Sequence, residues 1–136
     1  MAHRIAIIGG GISGLSLSIY LKKRGYSIVV IEKGSYPRHK VCGEYISMES
    51  HHYLQAICPA LSGLNLPRIN NFKLTSTGKN EFNTILDLGG FGISRYLLEE
   101  LLFKEAGKQG VEFLLNMKAQ NINTNQGDLG YSIKTS

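Results

Sequence analysis

The sequence predicts an α/β fold in which a βαβ unit opens a parallel sheet and an antiparallel hairpin follows it. Two apolar runs, residues 5–8 and 28–31, are separated by a glycine cluster and by apolar residues at helical spacing. A third parallel strand is predicted over residues 111–115, after a strongly amphipathic segment. Residues 118–135 read as a β-hairpin that turns at the letters NQGD. Because parallel strands need a helical crossover and hairpins need only a tight turn, this order indicates both kinds of pairing.

The glycine cluster, GGGISG, has the spacing G-x-G-x-x-G. Ile5 to Ile8 predict a buried strand that is apolar on both faces, and the helix after the cluster is expected to stop at Gly25. Gly9 allows a tight turn, Gly11 lets the backbone approach a pyrophosphate, and Gly14 lets the helix pack closely on the strand. The helix N-terminus would offer unpaired N–H groups and the positive end of its dipole to phosphates. The alternative is a tight turn without a ligand.

An acidic residue, Glu32, ends the second apolar run about twenty residues after the glycines, where dinucleotide-binding units place a ribose acceptor. Its carboxylate could accept hydrogen bonds from a ribose diol. A carboxylate at this point repels a 2′-phosphate, which argues against NADP. The alternative is a βαβ unit that carries an acidic surface residue.

A small insertion is predicted between the second and third parallel strands. Residues 34–47 have the composition of a loop, and a helix is expected from Ser47 to about Ile57, closed by Pro59. Strands are expected over residues 71–76 and 81–88, joined by a turn. The letters LGGFGIS, residues 88–94, are predicted to form another glycine-rich loop.

A second long helix is predicted to begin after Ser94, which can cap its N-terminus, and to end before Gly110. Five residues are expected to form its buried stripe: Leu97, Leu98, Leu101, Leu102 and Ala106. A nicotinamide Rossmann domain would continue with alternating parallel strands and helices, whereas this chain inserts strands and then begins an antiparallel ribbon. That topology favours an FAD domain.

Composition narrows the class of protein. With 136 residues, 43% of them hydrophobic and 18% charged, the chain suits one globular domain, residues 1–136. Its net charge of +5 comes without a long basic tract, so nucleic acid is not an expected partner. No apolar run approaches a transmembrane segment and the N-terminus is not a signal peptide, so the expected compartment is the cytoplasm. Cys42 and Cys58 are expected to be free thiols, and the spacing of cysteines and histidines predicts no metal site.

Three stretches resemble a known family: IAIIGGGISGLSLSIYLKKRGYSIVVIEK, PRHKVCGEYIS and GISRYLLEELLFKEAGKQGVEF. Together they cover about half of the chain and are similar to the N-terminal part of an FAD-dependent oxidoreductase of the glutathione-reductase-like FAD fold. Within that fold they are similar to the geranylgeranyl reductase and aromatic-ring monooxygenase group. The resemblance implies a Rossmann-like FAD-binding domain.

The resemblance also implies a set of cofactor-binding residues for the adenosine half of FAD. Glu32 would hold the adenosine ribose with Lys33 beside it, and the backbone at Ala119 would contact the adenine. The residues implied for the pyrophosphate are Gly9, Gly11, Ser13 and Gly14.

The flavin half of the site is implied to lie on the KVCGE loop and at the start of the second long helix. Arg95 would reach toward the ribityl and phosphate atoms, although it could instead be a surface arginine. A cation at a helix N-terminus opposes the dipole and so calls for a partner. Cys42 could be only a small buried residue, and Glu44 a solvated charge. The loop residues implied near the flavin are Lys40, Cys42, Gly43, Glu44 and Ile46.

No residue of the sequence stands out as a general acid or base, so the catalytic residues are unknown. The resemblance implies that a complete enzyme takes electrons from NAD(P)H and uses FAD either to reduce an isoprenoid-type double bond or to hydroxylate a small-molecule substrate. Family members are far longer, so a truncated chain is expected, with self-association through uncovered surface. The alternatives are a standalone module that binds NAD or ADP and a non-enzymatic interaction protein.

Overall fold

The computed structural model describes residues 4–124 and 130–136. The chain divides into two compact units, Met1–Arg38 with Glu99–Ser136, and His39–Leu98. The single domain expected over residues 1–136 stays a prediction. The strands are β1 (Arg4–Ile8), β2 (Ser27–Glu32), β3 (Tyr45–Ser47), β4 (Arg68–Thr75), β5 (Glu81–Gly92), β6 (Glu112–Leu115), β7 (Ala119–Thr124) and β8 (Tyr131–Thr135). The helices are α1 (Ile12–Lys22), α2 (His51–Ile57) and α3 (Arg95–Lys108), with short 3-10 helices at Met48–Ser50 and Pro59–Gly63.

The first unit contains the predicted parallel sheet, in the order β1-β2-β6. Its central strand, β2, is buried from Ile28 to Glu32, because neighbours cover both of its edges and residues pack on both of its faces. β1 lies at the edge of the described sheet, and Ile8 is 49% exposed. The prediction that residues 5–8 form a strand buried on both faces is therefore wrong, although the strand itself is present. The α/β class and the parallel sheet are confirmed.

The first helix, α1, packs through Leu15 and Ile19, which are completely buried. Ser18 is buried as well, and its hydroxyl donates to the Leu15 carbonyl at 2.7 Å, which satisfies it inside the core. The helix ends at Lys22, and Gly25 adopts a φ of +86°. The predicted glycine stop is confirmed, since that backbone conformation favours glycine.

The second unit contains an antiparallel sheet in the order β3-β5-β4. The strand pair β4–β5 and helix α2 confirm the predicted insertion. Two loop predictions are wrong in part, because residues 45–47 form β3 and residues 88–92 belong to β5. Gly90 pairs there with Ser47, and an added Cβ would overlap the Tyr45 ring. The glycines of this strand thus permit close cross-strand packing as well as turning.

Helix α3 begins as predicted, because the Ser94 hydroxyl accepts a hydrogen bond from the Leu97 N–H at 3.2 Å. Leu98, Leu102 and Ala106 of its expected stripe are buried. The other two, Leu97 and Leu101, are half-buried. After α3, β6 pairs in parallel with β2, which confirms the predicted third strand.

The predicted hairpin is formed by β7 and β8, which pair from Ala119 opposite Thr135 to Thr124 opposite Tyr131. Its predicted turn, NQGD, lies outside the described residues. Among the described helices, none is long and apolar enough to cross a bilayer. Residues 4–124 and 130–136 contain no group of three or more His, Cys, Asp or Glu side chains able to hold a metal ion.

Candidate nucleotide-binding site

The turn between β1 and α1 has a geometry that requires glycine at two of its predicted positions. Gly9 has a φ of +99° and donates its N–H to the Ile31 carbonyl at 2.8 Å, which joins the turn to β2. A Cβ added to Gly14 would lie closer than 3.0 Å to the Gly9 carbonyl oxygen. Gly11 is the N-cap of α1, and because glycine has no side chain, no capping side chain covers the N-terminus of the helix at this position. Ser13, in the first turn of α1, is exposed.

The middle glycine of the cluster, Gly10, is also constrained, and the sequence argument missed it. A Cβ added to Gly10 would overlap the Tyr36 hydroxyl and lie 3.3 Å from Cβ of Glu32. The signal available in the sequence was a glycine at residue 10, between two fingerprint glycines, because the fingerprint itself leaves that position open.

Glu32 lies at the end of β2, where the sequence placed it, and it is only 5% exposed. One carboxylate oxygen, Oε2, accepts the Gly10 N–H at 2.7 Å, and the other, Oε1, accepts the Gly34 N–H at 2.9 Å. Arg38 approaches both oxygens, with Nη1 at 2.5 Å from Oε1 and Nη2 at 3.2 Å from Oε2. The carboxylate is therefore held by the backbone of the glycine turn, by the backbone of the loop after β2 and by the guanidinium group of Arg38.

The electrostatics of Glu32 follow from these bonds. Burial would raise the pKa of its carboxyl group, but the hydrogen bonds from Arg38, Gly10 and Gly34 outweigh burial and lower the pKa to about 2. Glu32 is consequently ionised at neutral pH in spite of its burial.

Arg38 joins Glu32 to a second buried carboxylate, Glu99 of α3. The Arg38 Nε donates to Glu99 Oε2 at 3.1 Å, and Glu99 is completely buried. The hydrogen bond to Glu32 raises the pKa of Arg38 above its usual range against the effect of burial, and Glu99 adds to the rise. Sequence reasoning missed both residues, since nothing in the spacing of Arg38 and Glu99 indicates a pair 61 positions apart.

Tyr36 lies beneath the glycine turn on an aromatic cluster. Its ring stacks on Phe103, with centroids 4.3 Å apart, and meets Phe113 edge-on at 6.4 Å. Its hydroxyl donates to the Gly10 carbonyl. Burial raises the pKa of Tyr36, partly opposed by the charge of Arg38, so its hydroxyl stays protonated and able to donate.

The remaining residues implied for the adenosine half lie in the same unit. Lys33 follows Glu32 and is exposed. The chain after β6 returns beside Glu32, where the Met117 N–H donates to the Glu32 carbonyl at 3.0 Å. Ala119 begins β7 shortly afterwards, half-buried.

The residues implied for the flavin half belong to the second unit. Lys40, Gly43 and Glu44 are exposed, and Glu44 has a φ of +56°. Ile46 lies in β3 opposite Phe91. Cys42 is exposed and its sulfur accepts the Glu44 N–H at 3.4 Å, so the alternative of a small buried cysteine is wrong. The other cysteine, Cys58, is buried, and both are free thiols.

Arg95 is the first residue of α3 and is half-buried.

A Rossmann-like dinucleotide-binding fold is defined by three features: a parallel βαβ unit, a glycine-dependent turn before the helix and a buried carboxylate at the end of the second strand.

Comparison with known proteins indicates a narrower class of protein within this fold. Residues 4–42 match the family of FAD dependent oxidoreductases. The chain is 30% identical over 115 residues to digeranylgeranylglycerophospholipid reductase of Sulfolobus acidocaldarius, covering 82% of this chain and 25% of that protein. It is 25% identical over 133 residues to conditioned medium factor receptor 1 of Dictyostelium discoideum, covering 88% of this chain and 26% of the receptor.

Solved structures with a similar fold include enzymes described as flavin-dependent, such as the halogenase CmlS and the brominase Bmp2. The p-nitrophenol 4-monooxygenase PnpA from Pseudomonas putida matches with a TM-score of 0.80 at 17% identity, over 98% of this chain and 37% of that one. The halogenase PltM matches with a TM-score of 0.77 at 21% identity, over 100% of this chain and 32% of that one. At such identities the matches establish the fold alone.

Together these findings confirm that the chain resembles the FAD-binding part of FAD-dependent oxidoreductases, including the geranylgeranyl reductases. The chain spans about a quarter of the length of the curated relatives that it matches.

Proposed function

We propose that this chain binds FAD as the FAD-binding part of a flavoprotein oxidoreductase. The observation that carries the proposal is the turn of residues 9–14, where an added Cβ at Gly14 would strike the Gly9 carbonyl. The close approach of Gly14 to that carbonyl places the N-terminus of α1 next to the end of β1, and the N–H groups of a helix N-terminus in this position suit a pyrophosphate.

The residues of the first unit fit the adenosine half of FAD. Gly9, Gly11, Ser13 and Gly14 would hold the pyrophosphate through backbone N–H groups and the dipole of α1. Lys33 and the backbone at Ala119 would flank the adenosine.

Glu32 would accept the ribose hydroxyls. A carboxylate has about four acceptor sites, and the chain's own N–H groups approach both oxygens of Glu32. The longest of these contacts, from Arg38 Nη2 at 3.2 Å, is the one a ribose hydroxyl would replace at lowest cost.

The flavin half of the site is proposed on the resemblance. Arg95, four residues of the KVCGE loop and Ile46 of β3 would line it; the loop residues are Lys40, Cys42, Gly43 and Glu44. When bound, FAD supplies the redox chemistry, and the protein supplies binding and orientation.

For the complete enzyme we propose reduction of an isoprenoid-type double bond with electrons from NAD(P)H. The 30% identity to a digeranylgeranylglycerophospholipid reductase favours this reaction over hydroxylation of a substrate. Anaerobic addition of NADH or NADPH to the FAD-loaded protein tests the donor. Bleaching of the flavin's visible absorption is expected, and an unchanged spectrum with both would contradict the assignment of either donor.

Flavin absorption and fluorescence during an FAD titration test the binding proposal. The wild-type protein and an Arg4→Gln variant are expected to bind, because Arg4 lies at the start of β1, away from the glycine turn, and its ion pair with Glu112 is exposed. Gly11→Ala and Glu32→Ala are expected to bind at least tenfold more weakly, since they crowd the pyrophosphate and remove the ribose acceptor. Binding of ADP or NAD with refusal of FAD would support a nucleotide-binding module instead. Failure to bind all three would refute the proposal.

A further inference from the structure

Side chains from the end of β2 and from the loop after it hold both the N–H and the carbonyl of Gly10. Its N–H donates to Glu32 Oε2 at 2.7 Å. Its carbonyl accepts the Tyr36 hydroxyl and, at 3.1 Å, Nη2 of Arg38. Two donors converging on one carbonyl fix its direction more closely than backbone conformation alone can in a run of glycines, which have the widest choice of backbone angles.

The direction of this carbonyl decides the direction of the next N–H. The carbonyl of Gly10 and the N–H of Gly11 belong to one planar peptide unit, and in a trans peptide they point in opposite directions. Because the carbonyl points toward Tyr36 and Arg38, the Gly11 N–H points away from them. Gly11 is the N-cap of α1, so this N–H belongs to the set that a helix N-terminus offers to an anion.

The two donors are themselves fixed. The Tyr36 ring stacks on Phe103, which sets the position of its hydroxyl. The Arg38 guanidinium is anchored by Glu32 on one side and by completely buried Glu99 on the other. A loose surface side chain would lose much of this effect to rotamer entropy, whereas these two side chains are already ordered.

We propose that Tyr36 and Arg38 are positioning residues that point the Gly11 N–H at the bound pyrophosphate by fixing the Gly10–Gly11 peptide plane. Both residues act through their hydrogen bonds to the Gly10 carbonyl, and neither needs to contact the nucleotide. This inference rests on the proposed nucleotide-binding function, and it assigns to the loop after β2 a part in pyrophosphate binding, separate from the ribose-binding role proposed for Glu32 at the end of β2.

Calorimetric titration with ADP, well below the unfolding temperature, tests the inference on the full chain. Tyr36→Phe keeps the stack on Phe103 and removes one hydrogen bond, so ADP affinity is expected to fall roughly fivefold. Arg38→Lys is expected to weaken ADP binding roughly tenfold, since an ammonium group cannot hold three acceptors in the geometry of a guanidinium fork. Arg4→Gln removes an exposed ion pair in the same sheet and is the matched control, with affinity unchanged.

The ¹⁵N–¹H resonance of Gly11 distinguishes a positioning role from a merely structural one. In Tyr36→Phe this resonance is expected to shift in the absence of nucleotide, because the peptide plane is released. A variant with a lower unfolding temperature but wild-type ADP affinity and an unmoved Gly11 resonance would overturn the inference.

The two proposals fail in different ways. Absence of ADP binding by the wild-type protein would refute the nucleotide site itself. Tight binding by wild type and Tyr36→Phe alike would refute only the positioning role. If Arg38→Lys does not fold, Tyr36→Phe decides the question alone.

Discussion

Replacing Glu32 by glutamine is expected to remove a pH-dependent part of the folding stability. The carboxyl group of Glu32 is 5% exposed, and its pKa falls from 4.5 to about 2 on folding. Each pKa unit corresponds to about 1.4 kcal/mol, so the ionised carboxylate contributes about 3 kcal/mol at neutral pH. Glutamine keeps the shape of the side chain but cannot supply two anionic oxygens to Arg38 and to the N–H groups of Gly10 and Gly34.

The sign of the pH effect follows from a lowered pKa. The unfolded chain takes up its proton near 4.5 and the folded protein only near 2, so protonation favours the unfolded state between these values. The contribution of Glu32 is therefore complete above pH 4.5 and is lost as the pH falls toward 2. Glu32→Gln should be about 3 kcal/mol less stable than wild type at neutral pH and close to wild type at the acid end.

Urea unfolding followed by circular dichroism at a series of pH values measures this difference. Subtracting the variant's stability from that of wild type removes the contribution of carboxyl groups distant from Glu32. Glu112→Gln is the control, because Glu112 forms an exposed pair with Arg4 and should change stability by less than about 1 kcal/mol. If the wild-type and Glu32→Gln profiles run parallel across this pH range, the electrostatic account of the cluster is wrong.

Two glycine substitutions in helices are expected to change the folding stability in opposite directions, and the loss of a helix cap is expected to lower it. Gly14→Ala should lower stability by about 2 kcal/mol or more, because the new methyl group meets the Gly9 carbonyl. Gly107→Ala, also in a helix but with open space around the added Cβ, should raise stability by about 0.5–1 kcal/mol. Ser94→Ala should cost about 1 kcal/mol through loss of the bond to the Leu97 N–H. Thermal unfolding measures all three, and equal effects of the two glycine changes would contradict the packing argument.

The sequence was sufficient for the βαβ unit because local chemistry and periodicity agree there. The apolar run of β2, the glycine turn and the helical spacing of Leu15 and Ile19 all point to the same arrangement. The buried carboxylate at the end of β2 could be placed for the same reason, since Glu32 directly follows the strand.

Features set by long-range packing could not be predicted in this way. Residues 89–92 have the composition of a loop, yet they lie in β5, where the Tyr45 ring packs against Gly90 and leaves no room for a side chain there. The exposed face of β1 was missed because an apolar run does not reveal whether its strand is central or at an edge.

The charged cluster is a further case of long-range packing. Arg38 lies in the segment predicted as a loop and Glu99 in the second long predicted helix, and only the tertiary structure joins them. Nothing in the sequence indicated that Tyr36 contacts the glycine turn, because the position of its hydroxyl depends on the stacking of its ring against Phe103.

The most direct test of the account is the change in backbone ¹⁵N–¹H resonances when ADP is added to the wild-type protein. The largest changes are expected on residues 9–14 and at Glu32, and they should saturate with one ADP per chain. Changes that avoid the glycine turn, or that fall only on residues of the second unit, would contradict the claim that this turn binds a pyrophosphate.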